Sequence, residues 1–365
     1  MKYRFDKIAF NSTAKKTPTE SDKEHYIGLE HIDGECLEIT RWGSDVAPIG
    51  EKLIMKKGDV LFGKRRAYQR KLAIAPFDGI FSAHGMVLRP NEEVVDKNYF
   101  PFFMSSDLFM ERAVQISVGG LSPTINWKDL REQEFPLPSL AEQKVLADKL
   151  WAAYRLKESY KKLLLATEEM VKSQFIEMFG DFHNKVQIKD VCLVVSGKSI
   201  PTKLEDIDGN NPYIKVADFN IPGNEKYITI AQRYVSDDSA SYSKQIPEGS
   251  VIFAKNGAAS MSNKKRLTKI RCCIDMNTMA VFPKNESILS DFLFATIEAM
   301  DVSSHVRQGA IPSISPKSIE DSYIAMPTME EQYRYVSIAK HADKSGFELR
   351  KSIESIDKVI KSLIN

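Results

Sequence analysis

Two kinds of hydrophobic pattern alternate along the chain, and each occurs twice. Short apolar runs, several of them entered through a glycine turn, predict β-strands at 60–62, 80–81, 86–88, 251–253 and 279–282. Aromatic residues at helical spacing predict helices at 98–110 and 290–300. Two long segments without proline, about 140–179 and 329–364, predict helices of many turns. The pattern therefore predicts two β-rich regions, each followed by one long helix.

Both long helices begin with the same capping signal. Ser139 and Thr328 are placed as N-cap residues, and Glu142 and Glu331 follow three positions later, which is the pattern of a capping box. Inside the helices, positions spaced alternately by four and three form an a/d seam. The seam comprises Tyr160, Leu164, Thr167, Val171 and Gln174 in the first helix, and Leu349, Ile353, Ile356, Ile360 and Leu363 in the second.

This seam predicts that the two helices pack on each other as an antiparallel coiled coil. The alternative is that each helix packs separately against its own domain. A helix of about 40 residues rises about 60 Å, which is comparable to roughly one and a half to two turns of duplex DNA. Such a helix pair would hold two domains apart, one at each end.

One unit of about half the chain is duplicated. Four segments recur in the same order about 190 residues later: 26–32 as 213–219, 57–64 as 248–255, 120–126 as 309–315, and 138–143 as 327–332. A duplication of this length predicts a pseudo-two-fold repeat of mixed α/β domains and two similar binding events. We predict four parts, at 1–138, 139–184, 185–327 and 328–365.

Composition is consistent with this division. A chain of 365 residues exceeds the size of a single hydrophobic core, and 43% hydrophobic with 27% charged residues is ordinary for a globular protein. No apolar run reaches the ~18 residues of a membrane span, and the first residues do not begin a signal peptide. We therefore expect a cytoplasmic protein without a membrane partner.

No metal or catalytic pattern stands out. The four cysteines show no C-x-x-C spacing, the six histidines are scattered, and we expect reduced cysteines and no metal. Nucleotide-binding glycine loops, a nucleophile elbow and H-E-x-x-H are absent from the sequence. Asn211-Pro212-Tyr213 approaches the N-P-P-[YF] loop of adenine methyltransferases but lacks the second proline. The sequence therefore predicts a chain without catalytic activity.

Positive charge is concentrated although the net charge is only +2. Five cations fall within residues 64–71: Lys64, Arg65, Arg66, Arg70 and Lys71. The second half carries Lys255, Lys264, Lys265, Arg266, Lys269 and Arg271 in the corresponding region. Both clusters follow the same repeated strand, which favours a shared function over the alternative of an ordinary solvated face.

Together these motifs resemble the specificity subunit of type I restriction-modification systems, over essentially the full length. The resemblance rests on Tyr26-Ile27-Gly28-Leu29-Glu30-His31-Ile32, on the strand Gly58-Asp59-Val60-Leu61-Phe62, and on the Pro-x-x-x-Glu-Gln helix starts at Pro138 and Pro327. The segment 175–181 resembles the usual exit from the family's central helix.

The resemblance implies two target-recognition domains separated by two antiparallel helices. It implies that each domain recognises one half of a gapped, asymmetric DNA sequence. Two modification subunits would dock around the helices and methylate adenine with S-adenosylmethionine, and ATP-driven, Mg²⁺-dependent restriction subunits would complete the nuclease. This chain itself would need no cofactor.

DNA recognition requires phosphate contacts for affinity and polar contacts at base edges for sequence choice. We assign Lys64, Arg65, Arg66, Arg70, Lys255, Lys264, Lys265 and Arg266 to phosphates, with guanine as the alternative partner of Arg65 or Arg66. The glycine loops add Ser122, Thr124, Asn126, Lys128, Ser313, Ser315 and Lys317 as polar donors. The alternative for these loop residues is an ordinary turn with a helix cap.

Rival hypotheses remain open at this stage. The chain could serve a methylation-only or phage-defence system that lacks the nuclease. From another class, it could be a two-domain coiled-coil scaffold that binds proteins. A self-contained enzyme is disfavoured by the missing motifs.

Overall fold

A computed structural model describes residues 1–205 and 209–365, and they form two compact units. Unit 1 contains Met1–Lys162 and Leu349–Asn365, and unit 2 contains Leu163–Glu348. Each unit therefore combines one β-rich region with a part of each long helix. The four-part division of the chain stays a prediction, because the units follow contacts rather than chain order.

Unit 1 is built on two four-stranded sheets. Its strands are β1 Lys2–Arg4, β2 Ala9–Ser12, β3 Lys15–Lys16, β4 Tyr26–Ile27, β5 Lys52–Met55, β6 Val60–Phe62, β7 Leu72–Ile74, β8 Gly79–Phe81, β9 Met86–Pro90 and β10 Glu134–Pro136. Its helices are α1 Phe5–Ile8, α2 Phe100–Ser105, α3 Asp107–Gln115, α4 Trp127–Leu130 and the first part of α5 Leu140–Phe179. The sheet orders are β2-β9-β6-β7 and β3-β5-β8-β4, and β1 pairs with β10. Strand β6 is apolar throughout because it is covered on both faces.

Unit 2 repeats this plan with one five-stranded and one four-stranded sheet. Its strands are β11 Lys185–Gln187, β12 Cys192–Ser196, β13 Asn211–Ile214, β14 Tyr227–Ile228, β15 Tyr234–Val235, β16 Lys244–Ile246, β17 Val251–Ala254, β18 Lys265–Thr268, β19 Cys272–Ile274, β20 Thr278–Pro283, β21 Val306–Arg307, β22 Ser313–Ile314 and β23 Tyr323–Ala325. Its helices are α6 Ile188–Val191, α7 Asp237–Ala240, α8 Ser290–Ala299, α9 Pro316–Glu320 and most of α10 Met329–Ile364. The sheet orders are β12-β20-β17-β18-β14 and β15-β13-β19-β16.

The strands predicted from apolar runs are confirmed as β6, β8, β9, β17 and β20, and the helix at 290–300 is confirmed as α8. The single helix at 98–110 is wrong. Ser106 has extended backbone angles and its hydroxyl accepts a hydrogen bond from the Phe109 N–H, so it ends α2 and caps α3. The four cysteines are free thiols, as expected.

The long helices run antiparallel. In unit 1, Lys157 of α5 lies 2.5 Å from the carboxylate of Asp357 of α10. In unit 2, the rings of Phe175 and Tyr335 lie 5.3 Å apart between centroids. A residue later in α5 therefore contacts a residue earlier in α10. All the predicted seam residues are half-buried, while Leu163 and Leu165 beside the seam are exposed.

Both predicted capping boxes are confirmed at the helix starts. The Ser139 N–H and hydroxyl donate to the Glu142 carboxylate, and the Glu142 N–H donates to the Ser139 hydroxyl. Thr328 and Glu331 make the same three hydrogen bonds. These hydrogen bonds lower the pKa of Glu142.

The glutamine that follows each capping box ties the helix to its own β-rich region. Gln143 is fully buried; its Oε1 accepts from the Asp96 N–H over 2.8 Å, and its Nε2 donates to the carbonyls of Val94 and Pro138. One amide therefore satisfies three backbone groups that would otherwise be buried without partners.

Gln332 makes the same connection in unit 2. Its Oε1 accepts from the Leu289 N–H over 2.9 Å, and its Nε2 donates to the carbonyls of Ser287 and Pro327. The Pro-x-x-x-Glu-Gln motif therefore fixes the position of each β-rich region relative to the start of its long helix.

Candidate nucleic-acid interface

In unit 1, backbone hydrogen bonds join the basic turn after β6 to the glycine loop before α4. The Ile125 N–H donates to the Lys64 carbonyl over 2.9 Å, and the Arg66 N–H donates to the Pro123 carbonyl over 2.7 Å. Two segments that are far apart in the sequence therefore form one surface, and their relative position is fixed by the backbone.

Unit 2 contains the same connection. The Ile314 N–H donates to the Lys255 carbonyl over 2.8 Å, and the Gly257 N–H donates to the Pro312 carbonyl over 2.8 Å. The hydrogen-bonded positions correspond one by one to those of unit 1, so the duplication preserves the joint between turn and loop.

A short antiparallel bridge lies at the centre of each joint, between Arg65 and Thr124 in unit 1 and between Asn256 and Ser313 in unit 2. We call this surface the turn–loop junction, and define it as residues 64–66 with 122–126 in unit 1 and 255–257 with 312–315 in unit 2. The two predicted groups of DNA contacts thus belong to one surface in each unit.

The junction of unit 1 carries the stronger positive charge. Arg65 and Arg66 are exposed, and Lys64 is half-buried. The Arg66 Nε donates to the Ser122 hydroxyl over 3.3 Å, which directs this guanidinium along the loop. The corresponding residues of unit 2 after Lys255 are uncharged, so the two junctions offer different chemistry on the same backbone.

Arg66 adopts a backbone conformation that favours glycine. Its φ is +57°, in the left-handed region, and the repeat has Gly257 at this position with φ +68°. A left-handed residue with a side chain costs roughly 1–2 kcal/mol relative to glycine. Arg70 in the same turn also has a positive φ, of +49°, so the basic turn holds two arginines in the left-handed region.

Lys265 corrects the expectation for the second basic cluster. Its side chain is buried, and its ammonium donates to the carbonyls of Met300 and Glu298. Pairing of Lys265 with Phe253 places it in β18 on the core side, and burial lowers its pKa. A DNA contact at Lys265 is therefore excluded by its placement.

Two further cations are already engaged. The Arg266 guanidinium donates to the Phe219 carbonyl and lies over the Phe219 ring, so it supports unit 2 rather than standing free. Arg70 forms an ion pair with Asp107 at 2.5 Å, and its expected role as a free phosphate contact is replaced by this pair. Lys264 is exposed and donates to Asn220.

Some polar residues of the glycine loops lie at helix starts, and the others are exposed or lie within the junctions. The Ser315 hydroxyl accepts from the Ser318 N–H and caps α9, and Asn126 donates to Asp129 at the start of α4. The alternative of a helix cap therefore holds for Ser315, whereas the Asn126 side chain makes no capping hydrogen bond to the backbone of α4. Lys128 and Lys317 are exposed, and the half-buried Ser122, Thr124 and Ser313 lie within the junctions.

Sequence reasoning overlooked Lys15, which lines a cavity beside Lys64 in unit 1. Its counterpart Lys198 becomes visible only when β12 is aligned with β2 through their strand pairing. Within the described ranges, no group of three or more His, Cys, Asp or Glu side chains is arranged to hold a metal ion. In the same ranges, every helix is too short or too polar to cross a membrane.

The family follows from a comparison with known protein families. Residues 10–166 and 182–357 each match the family model described as the type I restriction modification DNA specificity domain. The chain belongs to this family. The domain is matched twice, which explains the duplication of the chain. The resemblance of the motifs to a type I specificity subunit is thereby confirmed.

Relatives with this role are similar over long stretches. The chain is 24% identical over 370 residues to a protein named as the specificity subunit of type I restriction enzyme MjaX of Methanocaldococcus jannaschii, covering 92% of this chain and 84% of that one. It is 27% identical over 142 residues to the EcoDI specificity subunit of Escherichia coli, covering 38% of this chain and 31% of that one.

Solved structures agree on the fold. One chain, from work on complex assembly and conformational transition of the type I R-M system, matches with a TM-score of 0.61 at 18% identity, covering 100% of this chain and 96% of that chain. The type I S subunit of M. genitalium matches with a TM-score of 0.60 at 14% identity, covering 100% of this chain and 94% of that chain. Two specificity domains separated by long antiparallel helices are thus the fold of this chain.

Proposed function

We propose that this specificity-family chain binds a bipartite, gapped DNA site, and that each unit recognises one half of it. The supporting observation is the duplicated turn–loop junction, which has the same backbone hydrogen bonds in both units and different side chains. A shared backbone fits the shared geometry of duplex DNA, whereas Arg65 and Arg66 against Asn256 and Gly257 fit two unlike half-sites.

The proposal places catalysis on partner subunits. Two modification subunits would bring S-adenosylmethionine, and restriction subunits would bring ATP and Mg²⁺, while this chain selects the site in the cytoplasm. Exposed apolar residues on α5 support such docking: Leu156, Leu163 and Met170 recur every seven residues outside the seam and are about half exposed. A repeated stripe of this kind suits a partner helix.

Two alternative functions would use this structure differently. A methylation-only or phage-defence system would use the same junctions without restriction subunits. A protein-binding scaffold would use the helices without DNA, and the exposed positive charge of Arg65 and Arg66 favours the DNA-binding function over it. A mobility shift of duplex DNA by this chain with its modification subunit would exclude the scaffold.

The proposal is tested by sequencing adenine methylation in a host that expresses this chain with its modification subunit. We expect one new methylated motif with two unequal halves separated by a fixed gap. A host that expresses the modification subunit alone is the control and should lack the motif. A continuous or palindromic motif would contradict the assignment of one half-site to each unit.

A further inference from the structure

A cavity with a mixed lining, more apolar than polar, lies beside the turn–loop junction of unit 1. It has a volume of about 170 Å³, and its polar lining consists of Asn11, Ser12, Thr13, Lys15, Lys64 and Asn126. These residues come from the end of β2, the segment that follows it, the basic turn and the glycine loop. Four stretches of unit 1 therefore contribute polar residues to the lining of one cavity.

Lys64 lacks a compensating negative charge within the described part of the chain. Its side chain is half-buried, and burial together with the nearby charge of Lys15 lowers its pKa. Lys15 is exposed and its ammonium lies 3.4 Å from a carboxylate oxygen of Glu51. Glu51 therefore compensates the charge of Lys15 rather than that of Lys64. Two cations that repel each other beside a cavity create a site for an anion.

Unit 2 repeats the elements of this site. The Lys255 N–H donates to the Asn277 carbonyl, and the Gly197 N–H donates to the adjacent Thr278 carbonyl, which brings Lys198 and Lys255 to the same segment. Cys192 of β12 lies opposite Pro283 as Ala9 of β2 lies opposite Pro90, so this register makes Lys198 the counterpart of Lys15, and Lys255 is the counterpart of Lys64 in the repeated turn.

A second observation in unit 2 points to a ligand. The Ser196 hydroxyl oxygen is buried and has no hydrogen-bond partner among the residues that the structure describes. Ser196 occupies the repeat position of Thr13, which lines the cavity of unit 1. A buried hydroxyl without a partner is costly, and a bound anion would satisfy it.

We propose that Lys64 and Lys15 together hold one backbone phosphate of duplex DNA, and that Lys255 and Lys198 hold its counterpart in unit 2. This inference rests on the proposed DNA-binding function and deepens it. The phosphate pockets set the position of each unit on the duplex without regard to sequence, because phosphate contacts carry no base information. The unequal residues beside them, Arg65 and Arg66 against Asn256 and Gly257, are left to choose bases.

Because the contact is independent of sequence, it can be tested on a fluorescent duplex of arbitrary sequence. The full chain in complex with its modification subunit would be titrated over a range of salt concentrations. Lys64→Gln is expected to reduce the slope of log affinity against log salt by about 1, and to weaken binding roughly eight-fold at about 0.1 M salt. Lys64→Arg keeps the charge and should retain the slope.

The shared phosphate gives the test its second arm. Lys15→Gln added to Lys64→Gln should lower the slope no further, because Lys15 is paired with Glu51 and holds the shared phosphate only together with Lys64. Lys255→Gln should match Lys64→Gln. Lys7→Gln is the matched control, since Lys7 is exposed and precedes β2 at its far end, and it should leave the slope unchanged.

Three outcomes would overturn the pocket. One is an unchanged slope in Lys64→Gln, and another is a full additional loss in the double variant, which would mean two separate phosphates. In both cases the unaltered complex still binds DNA, so the proposed function would survive. Absence of any duplex binding by the unaltered complex would reject the proposed function and the pocket together. Thermal unfolding identifies misfolding, since removing a half-buried charge should not lower the melting temperature.

Discussion

Replacing Lys64, Arg65 and Arg66 together by alanine is expected to weaken binding of duplex DNA by more than the roughly eight-fold at about 0.1 M salt that the phosphate contact of Lys64 provides, because two arginine contacts to bases, each worth about 1–3 kcal/mol, are lost as well. The same variant should lower the slope of log affinity against log salt by at least about 1, the share of the phosphate held by Lys64. The physical reason is that fewer counterions are released when the junction of unit 1 loses its charge. Fluorescence anisotropy of a labelled duplex, repeated at several salt concentrations, measures both quantities.

Arg66→Gly separates binding from folding in this experiment. Glycine suits the left-handed backbone at this position, so this variant should be as stable as the unaltered chain or up to about 1 kcal/mol more stable. Its DNA affinity should nevertheless fall. Lys7→Ala is the charge-matched control. An unchanged salt slope in the triple variant would remove the junction of unit 1 from the DNA interface.

Replacing Gln143 by leucine is expected to destabilise unit 1 by about 3 kcal/mol. Leucine has a similar size but leaves the Asp96 N–H and the carbonyls of Val94 and Pro138 without their buried partner, and each unsatisfied buried group costs about 1–3 kcal/mol. Hydrogen exchange should rise in unit 1 and stay unchanged in unit 2. Gln332→Leu should produce the reverse pattern.

Gln115 provides the matched control for this pair. It is exposed at the end of α3, so Gln115→Leu should change the free energy of unfolding by no more than about 0.5 kcal/mol. Equal small effects of Gln143→Leu and Gln115→Leu would show that the buried amide does not hold the domain to its helix.

Much of the fold could be predicted because its signals are local or repeated. The capping boxes at Ser139 and Thr328 need only four adjacent residues, and the structure contains every hydrogen bond of that motif. The strands β6 and β17 follow from short apolar runs behind a glycine turn. The duplication added information that a single domain lacks, because each element could be checked against its copy.

The errors lie where pairing over long sequence distances decides the outcome. Lys265 belongs to a dense run of cations, and charged residues are seldom buried. The register of β18 against β17 places Lys265 opposite Phe253, on the core side of the sheet. There its ammonium donates to the Met300 carbonyl, which follows α8. Likewise, the helix motif flagged Gln143, but its partners at Val94 and Asp96 could not be inferred from local sequence.

The turn–loop junction also depends on contacts between segments that are far apart in the sequence. The basic turn and the glycine loop were predicted as two groups of DNA contacts, and the sequence gives no distance between them. Hydrogen bonds from Ile125 to Lys64 and from Ile314 to Lys255 bring them together in both units. Lys15 was overlooked because a short pair of lysines after a strand carries no signal until its repeat partner is aligned.

The most direct test of one half-site per unit is an exchange of residues 185–327 for the same region of a relative with a different target. Adenine-methylation sequencing of a host that expresses the hybrid with its modification subunit gives the recognised motif. We predict that one half of the motif changes to that of the relative, while the other half and the gap stay as they were. A motif in which both halves change, or neither does, would contradict the account.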